Sequence, residues 1–210
     1  MKIINQRHEI IALPEQLLET IEKCGRACYK SEDKITPESA PKFVGMLRDR
    51  GHHAMIEFGD ITVRFITNRG VTHELVRHRH CSFAQESTRY VRYDGGMEFI
   101  RPVWCSEGVL SGNITDPTID LLENRWLYSM RKAEQDYRYL LNSGWRPEQA
   151  RDVLPNAMKT EIVVKANIRE WRHIFTLRTA KAAHPQMRAL MLPLLAELKE
   201  KLPVVFDDLG

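Results

Sequence analysis

Arg77-His78-Arg79-His80 sets four cationic or titratable side chains in a row, and seven residues separate Arg79 from Ser87-Thr88-Arg89-Tyr90. Like charges repel, so a chain that gathers them holds something anionic. Hydroxyls beside a guanidinium fork make a natural cradle for phosphate. One Arg or His at a helix end would only complement the helix dipole; the whole run asks for a ligand. Between Arg64 and Arg101 there are seven arginines, no lysine and four acids (Glu74, Glu86, Asp94, Glu98), so 7 − 4 = +3 arises in this one stretch. Arginine suits bidentate contact with phosphate and carboxylate better than lysine does. His78, His80 and Cys81 are competent metal ligands, but the adjacent arginines repel a cation, so no metal is expected. Ser87 has no His and acid arranged around it in a hydrolase motif, and serine without a base does not attack. It is expected to bind, not to react.

The elements that must position these residues follow from the apolar spacing. A first helix begins near Pro14 with Leu17, Leu18 and Ile21, and a second is opened by Thr36-Pro37-Glu38, with Phe43, Val44 and Leu47 as its stripe, and stopped at Gly51. Ile61, Val63 and Phe65 alternate with Thr62 and Arg64 as a half-buried strand. Asn68 and Gly70 turn the chain into a short helix, so Arg77 to Arg79 arrive at its end and lead into a loop. The spacing predicts a long amphipathic helix from Asp116 to Leu141, a short one opened by Pro147, a β-rich stretch from Lys159 to Ala166, and a last helix from about Pro185 to Lys201. Asn167 and Glu170 read as a capping box that opens a helix to about Ala180. On that helix Asn167, Trp171, Ile174 and Arg178 share a stripe, with Arg169 and His173 roughly opposite. Trp171 and Ile174 read as core. The division suits two ligands on two sides, or sites shared between subunits.

A chain of 210 residues supports one substantial core, and residues 1–210 are read as a single helix-rich α+β domain. A net charge of +3 is too slight to point to nucleic acid. No apolar run is long enough to span a bilayer, and MKIINQRHEI lacks the apolar stretch of a signal peptide. A cytoplasmic protein is expected, with Cys24, Cys28, Cys81 and Cys105 as free thiols. Two rivals to an anion-handling enzyme stand: a nucleic-acid-binding module using the arginines, and a metal-dependent phosphohydrolase. The latter requires clustered carboxylates that the sequence lacks.

Arg77-His78-Arg79, seven residues, Ser87 and then Arg89-Tyr90 resemble the RHR-x7-S signature of the flavin-dependent thymidylate synthases. Gly51-His52 with Glu57 and Phe58 resembles that family's short His-containing segment. Arg151-Asp152-Val153-Leu154-Pro155 resembles its Arg-x-x-Leu-Pro segment, and Asn167-x-Arg169 with His173 and Leu177-Arg178 its C-terminal signature. The resemblance covers roughly residues 15 to 200. Ala84 stands where the family commonly has Asn, His73-Glu74 where Arg-Gln is common, and two extra residues lie between Arg178 and His184 compared with some members.

The resemblance implies a thymidylate synthase-complementing-protein-like fold with a small, largely antiparallel sheet. It implies a methyltransferase of nucleotide biosynthesis that converts dUMP to dTMP, with methylenetetrahydrofolate as carbon donor and FAD, reduced by NADPH, as hydride donor. Every one of these small molecules is anionic. By carry-over Arg77, His78, Arg79, Gln85, Asn167, Arg169 and His173 bind the flavin. Glu74, Arg77, Gln85, Glu86, Ser87, Thr88, Arg89, Arg151 and Arg178 bind dUMP. Arg178 and His52 are the catalytic candidates: a guanidinium on the uracil edge stabilises charge as the ring nitrogen ionises, so no cysteine need add to the ring. A homotetramer is implied, with neither nucleic acid nor membrane as partner.

Overall fold

The computed structural model describes residues 1–210. Its strands are β1 (Lys2–Ile4), β2 (Arg7–Ala12), β3 (Asp60–Asn68), β4 (Cys81–Gln85), β5 (Glu98–Ile100) and β6 (Lys159–Asn167). Its helices are α1 (Leu17–Ala27), α2 (Ser39–Asp49), α3 (Arg69–Leu75), α4 (Leu121–Asn142), α5 (Pro147–Ala150), α6 (Ile168–Arg178), α7 (Pro185–Lys201) and α8 (Pro203–Phe206). The strands order as β2-β3-β6-β4, with β1 and β5 as a separate pair. This is a helix-rich α+β fold with a small, mostly antiparallel sheet. β1 and β5 pair in parallel, a register that aligns Ile3 with Phe99.

Local chemistry accounts for the boundaries. Asn68 Oδ1 accepts from Val71 N at 2.8 Å and so caps α3. The expected helix start at Asp116 moves to Leu121, because Asp116 Oδ1 accepts from Thr118 N and Asn113 Oδ1 from Thr115 N. Such side-chain bonds compete with helical ones. The helix begins instead where Asp120 Oδ1 accepts from Leu122 N and Glu123 N. The loop expected after Arg79 holds β4, and β1, β2 and β5 also carry no alternation strong enough to announce them. On α1, Gly25 faces α2: a Cβ there would stand 2.6 Å from the Phe43 ring.

The chain divides into two compact units, one formed by residues 1–7, 65–75 and 84–162, the other by 8–64, 76–83 and 163–210. In the first, Ile3, Phe99, Leu127, Tyr137 and Met158 belong to one buried cluster. The Met1 amino group pairs there with buried Glu134 at 3.0 Å. In the second, Trp171 stacks on Phe175 and Phe175 meets Phe206 edge-on, with ring centroids 5.8 and 5.7 Å apart. Trp171 Nε1 donates to Ile61 O at 3.0 Å, which ties α6 to β3. No helix is long and apolar enough to cross a membrane.

Candidate active site

In the second unit the site is built on α6. Ile168, Trp171, Ile174 and Phe175 are fully buried and fix the helix by one face, so Trp171 and Ile174 are core, as their spacing predicts. Asn167 Oδ1 accepts from Glu170 N at 2.9 Å and caps the first turn. The reciprocal half of the expected capping box is absent. The Glu170 carboxylate faces His78 instead, with Oε1 at 3.3 Å from Nδ1.

His78 is buried, and its other nitrogen, Nε2, meets Arg178 Nε at 3.0 Å. An arginine N–H can only donate. Nε2 must therefore carry its lone pair, and the ring's proton sits on Nδ1, toward Glu170. Burial, then the Arg178 charge, holds the pKa of His78 below the ordinary histidine value, against the upward pull of Glu170. The His173 ring stands edge-on to His78 at 5.7 Å.

Arg77, Arg79, His80, His173 and Arg178 line one groove of about 390 Å³ around this chain of bonds, with Glu170 as its acid. Ligand atoms of His78, Glu170 and His173 lie within 4.8 Å of one another, a spacing fit for a metal. The donor chemistry opposes one: both nitrogens of His78 are committed, and a guanidinium is bonded to the ring. Cys81, in the sequence's hypothetical ligand trio, keeps its proton, since burial and then Glu170 push its thiol up to about 12.

A neighbouring cleft of about 570 Å³ is lined by His53, Glu57, Asn167, Arg169 and His173 among others. Arg169 Nη1 pairs there with Glu57 at 2.6 Å. Both partners are largely exposed, so the pair is weak and an anion can compete for the arginine. His52 lines a different groove with Arg26 and Arg50, and the histidine beside Arg169 is His53. The two-sided division of α6 also fails to separate ligand groups. Arg178 and His173 both reach His78, because the long arginine side chain leaves the last helical turn and returns to the ring.

The first unit holds the other cluster. Gln85 Nε2 donates to Thr72 Oγ1 at 3.0 Å and Thr160 Oγ1 at 3.4 Å. Glu86 Oε1 accepts from the Tyr93 hydroxyl at 2.6 Å, and Oε2 pairs with Lys159 at 3.2 Å. Lys159 is shared with Glu161 at 2.7 Å. Burial, then the Glu86 carboxylate, pushes the Tyr93 phenol well above its ordinary pKa. Arg69 donates from Nη2 to Glu86 O at 3.1 Å, while its Nε is buried without a partner. Ser87 turns the chain: its Oγ accepts from Arg89 N at 3.3 Å, with Thr88 buried and Arg89 exposed. Glu74 is half-buried in α3, and Arg151 is exposed just after α5. The contacts of Arg69, Tyr93 and Lys159 and the second role of Glu170 escape sequence reasoning.

Residues 9–204 match the model of a family described as thymidylate synthase complementing protein. A flavin-dependent thymidylate synthase of Corynebacterium efficiens is 36% identical over 198 residues, covering 90% of this chain and 78% of that one. One of Mycobacterium bovis is 35% identical over 197 residues, with the same coverage. Among solved structures, a UMP/dUMP methylase, PolB, from Streptomyces cacaoi bound with 5-Br dUMP superposes with a TM-score of 0.78. It covers 99% of this chain and 96% of that one at 22% identity, a likeness of fold.

Proposed function

Because the chain belongs to the thymidylate synthase complementing protein family, we propose that it is a flavin-dependent thymidylate synthase that methylates dUMP to dTMP. The observation that carries the reading is the groove where Arg77, Arg79 and Arg178 converge on buried, neutral His78 with one buried acid. Such a concentration of fixed positive charge suits anionic ligands.

The donor set fits FAD: arginine forks and an exposed histidine in adjoining clefts, with Arg169 held only by a weak surface pair. Arg77, His78, Arg79, Gln85, Asn167, Arg169 and His173 would hold it, and when bound it supplies the hydride. NADPH is its reductant and methylenetetrahydrofolate the carbon donor. Gln85 offers its carbonyl oxygen, since its amide nitrogen is taken by Thr72 and Thr160. For dUMP, Glu74, Glu86, Ser87, Thr88, Arg89 and Arg151 form the binding set.

Arg178 is the catalytic residue. It stays protonated above pH 12 or so, so it cannot be a base; held on the uracil edge it stabilises the charge that develops on the ring and makes carbon 5 nucleophilic. Cys81, whose thiol feels Glu170, is not activated to do this by addition, since burial raises it. In the catalytic role expected of His52, His53 is the better candidate of the two, because it lines the cleft of Arg169. The working unit is a single catalytic domain in a cytoplasmic homotetramer.

The test is a purified protein with flavin absorbance that forms dTMP from dUMP. Arg178→Ala should abolish dTMP formation and keep the flavin, and Arg178→Lys should be poor, because a point charge does not replace the fork. Loss of flavin with intact dUMP binding would reverse the assignment of Arg178. A colourless protein with salt-sensitive polynucleotide binding would overturn the enzyme in favour of a nucleic-acid module.

A further inference from the structure

His78 bridges the two ends of one helix. Glu170, in the first turn of α6, faces Nδ1, and Arg178, its last residue, donates to Nε2. Glu170 stands where a helix would normally use it for capping, yet its carboxylate is turned from the Asn167 N–H to the imidazole. A local rule broken without local gain marks a position that answers to something else. Glu170 is itself buried, and burying a carboxylate is costly unless it is hydrogen-bonded.

We propose that Glu170 is a positioning residue: through His78 it holds the Arg178 guanidinium in the orientation that serves the pyrimidine. A neutral imidazole has one donor and one acceptor nitrogen. If the proton sat on Nε2, two donors would face each other and Arg178 would be released. The carboxylate prevents this by accepting from Nδ1–H, which leaves Nε2 as the acceptor. Once Nε is engaged by the ring, the guanidinium plane is set, and its terminal nitrogens take a fixed direction. The role rests on the thymidylate synthase reading, and it adds to that reading a residue that acts through His78.

Protonation of His78 undoes the arrangement, because both nitrogens then donate. The charged and titratable groups around the ring are Glu170, His173 and Arg178 from α6, and Arg77, Arg79 and His80 from its own segment. Among these only Glu170 is an acid, so it alone favours the protonated ring. The low pKa of His78 keeps the ring neutral at working pH. Removing the Glu170 charge should lower that pKa further.

The experiment uses the full chain with flavin bound, comparing wild type with Glu170→Gln and Glu170→Ala. Expected for Glu170→Gln is unchanged flavin content and a fall in dTMP turnover on the order of tenfold, the usual scale for losing a residue that orients an active group. The acid limb of the pH profile should move to lower pH. Glu170→Ala should lose as much turnover or more. A second readout needs no substrate. With 15N-labelled histidine and arginine, wild type should show an Nδ1–H tautomer at His78 and a protected Arg178 Nε–H signal, and both should be lost or averaged in Glu170→Ala, which removes the acceptor that Gln would retain. Full turnover with an unmoved acid limb, or an unchanged tautomer and Nε–H signal, would overturn the proposal. So would loss of flavin together with a lowered melting temperature, which would mark Glu170 as structural. The expected wild-type signals, lost in the variant, in a protein that forms no dTMP would instead refute the enzymatic reading and leave the Glu170–His78–Arg178 link standing.

Discussion

Replacing Tyr93 by Phe removes one hydroxyl and leaves the ring that packs beside Tyr137. That hydroxyl donates to Glu86 Oε1 at 2.6 Å, a charge-assisted contact in a half-buried setting. Hydrogen bonds to charged groups contribute about 1.5 to 3 kcal/mol. Glu86 retains Lys159 at 3.2 Å, although Lys159 is shared with Glu161, so the low end applies and the variant should lose about 1.5 kcal/mol. With a urea m-value of about 2 to 3 kcal/mol/M, the midpoint at pH 7 should fall by about 0.5 to 0.75 M. The difference should also depend on pH. The phenol's pKa is raised in the folded protein, so the unfolded chain ionises first, near pH 10, while the folded one holds its proton. Wild-type stability from this group is therefore complete below about pH 10 and is lost as pH rises beyond it. The gap between wild type and Tyr93→Phe should narrow over that range. Equal urea midpoints at pH 7, or a gap that widens above pH 10, would refute the account of this hydrogen bond.

Ser87→Ala should weaken dUMP binding by roughly 0.5 to 1.5 kcal/mol, the order of one hydrogen bond, and leave measurable turnover. An inactive variant with wild-type dUMP affinity by calorimetry would make Ser87 a nucleophile after all. Substituting all four cysteines by serine or alanine should spare dTMP formation. With an aromatic disulfide reagent near pH 8, exposed Cys28 should react ahead of Cys81, whose thiol stays protonated up to about 12. Equal rates for the two would contradict that environment.

The sequence made the helices and the central strands legible wherever a period was strong. Ile61, Val63 and Phe65 announce β3, and the alternation of Thr160, Ile162, Val164 and Ala166 on the buried face announces β6. Short edges such as β1 and β4 were not legible, since three to five residues are too few to establish a period. At the site, residue types gave the anionic ligand class, but pairings across the chain were hidden. Nothing local says that Lys159 meets Glu86, 73 residues away, or that Arg178 meets His78 across 100. The choice between His52 and His53 was also beyond reach, because adjacent residues differ only in which way the backbone turns them. Glu170 shows the converse limit: a correct local expectation for its backbone N–H concealed where its carboxylate goes.

Because one imidazole grips α6 at both Glu170 and Arg178, the helix between them has a fixed length. An inserted residue would swing Arg178 by about 100° and shift it by about 1.5 Å along the axis, away from Nε2. A deletion would do the same in the opposite sense. Drift in chain length within this lineage must therefore fall outside that interval. The turn from Thr179 to His184 is free of the constraint. Gaps in an alignment of relatives that retain an acid at the position of Glu170 should cluster after Arg178 and avoid the eight steps before it, from 170 to 178.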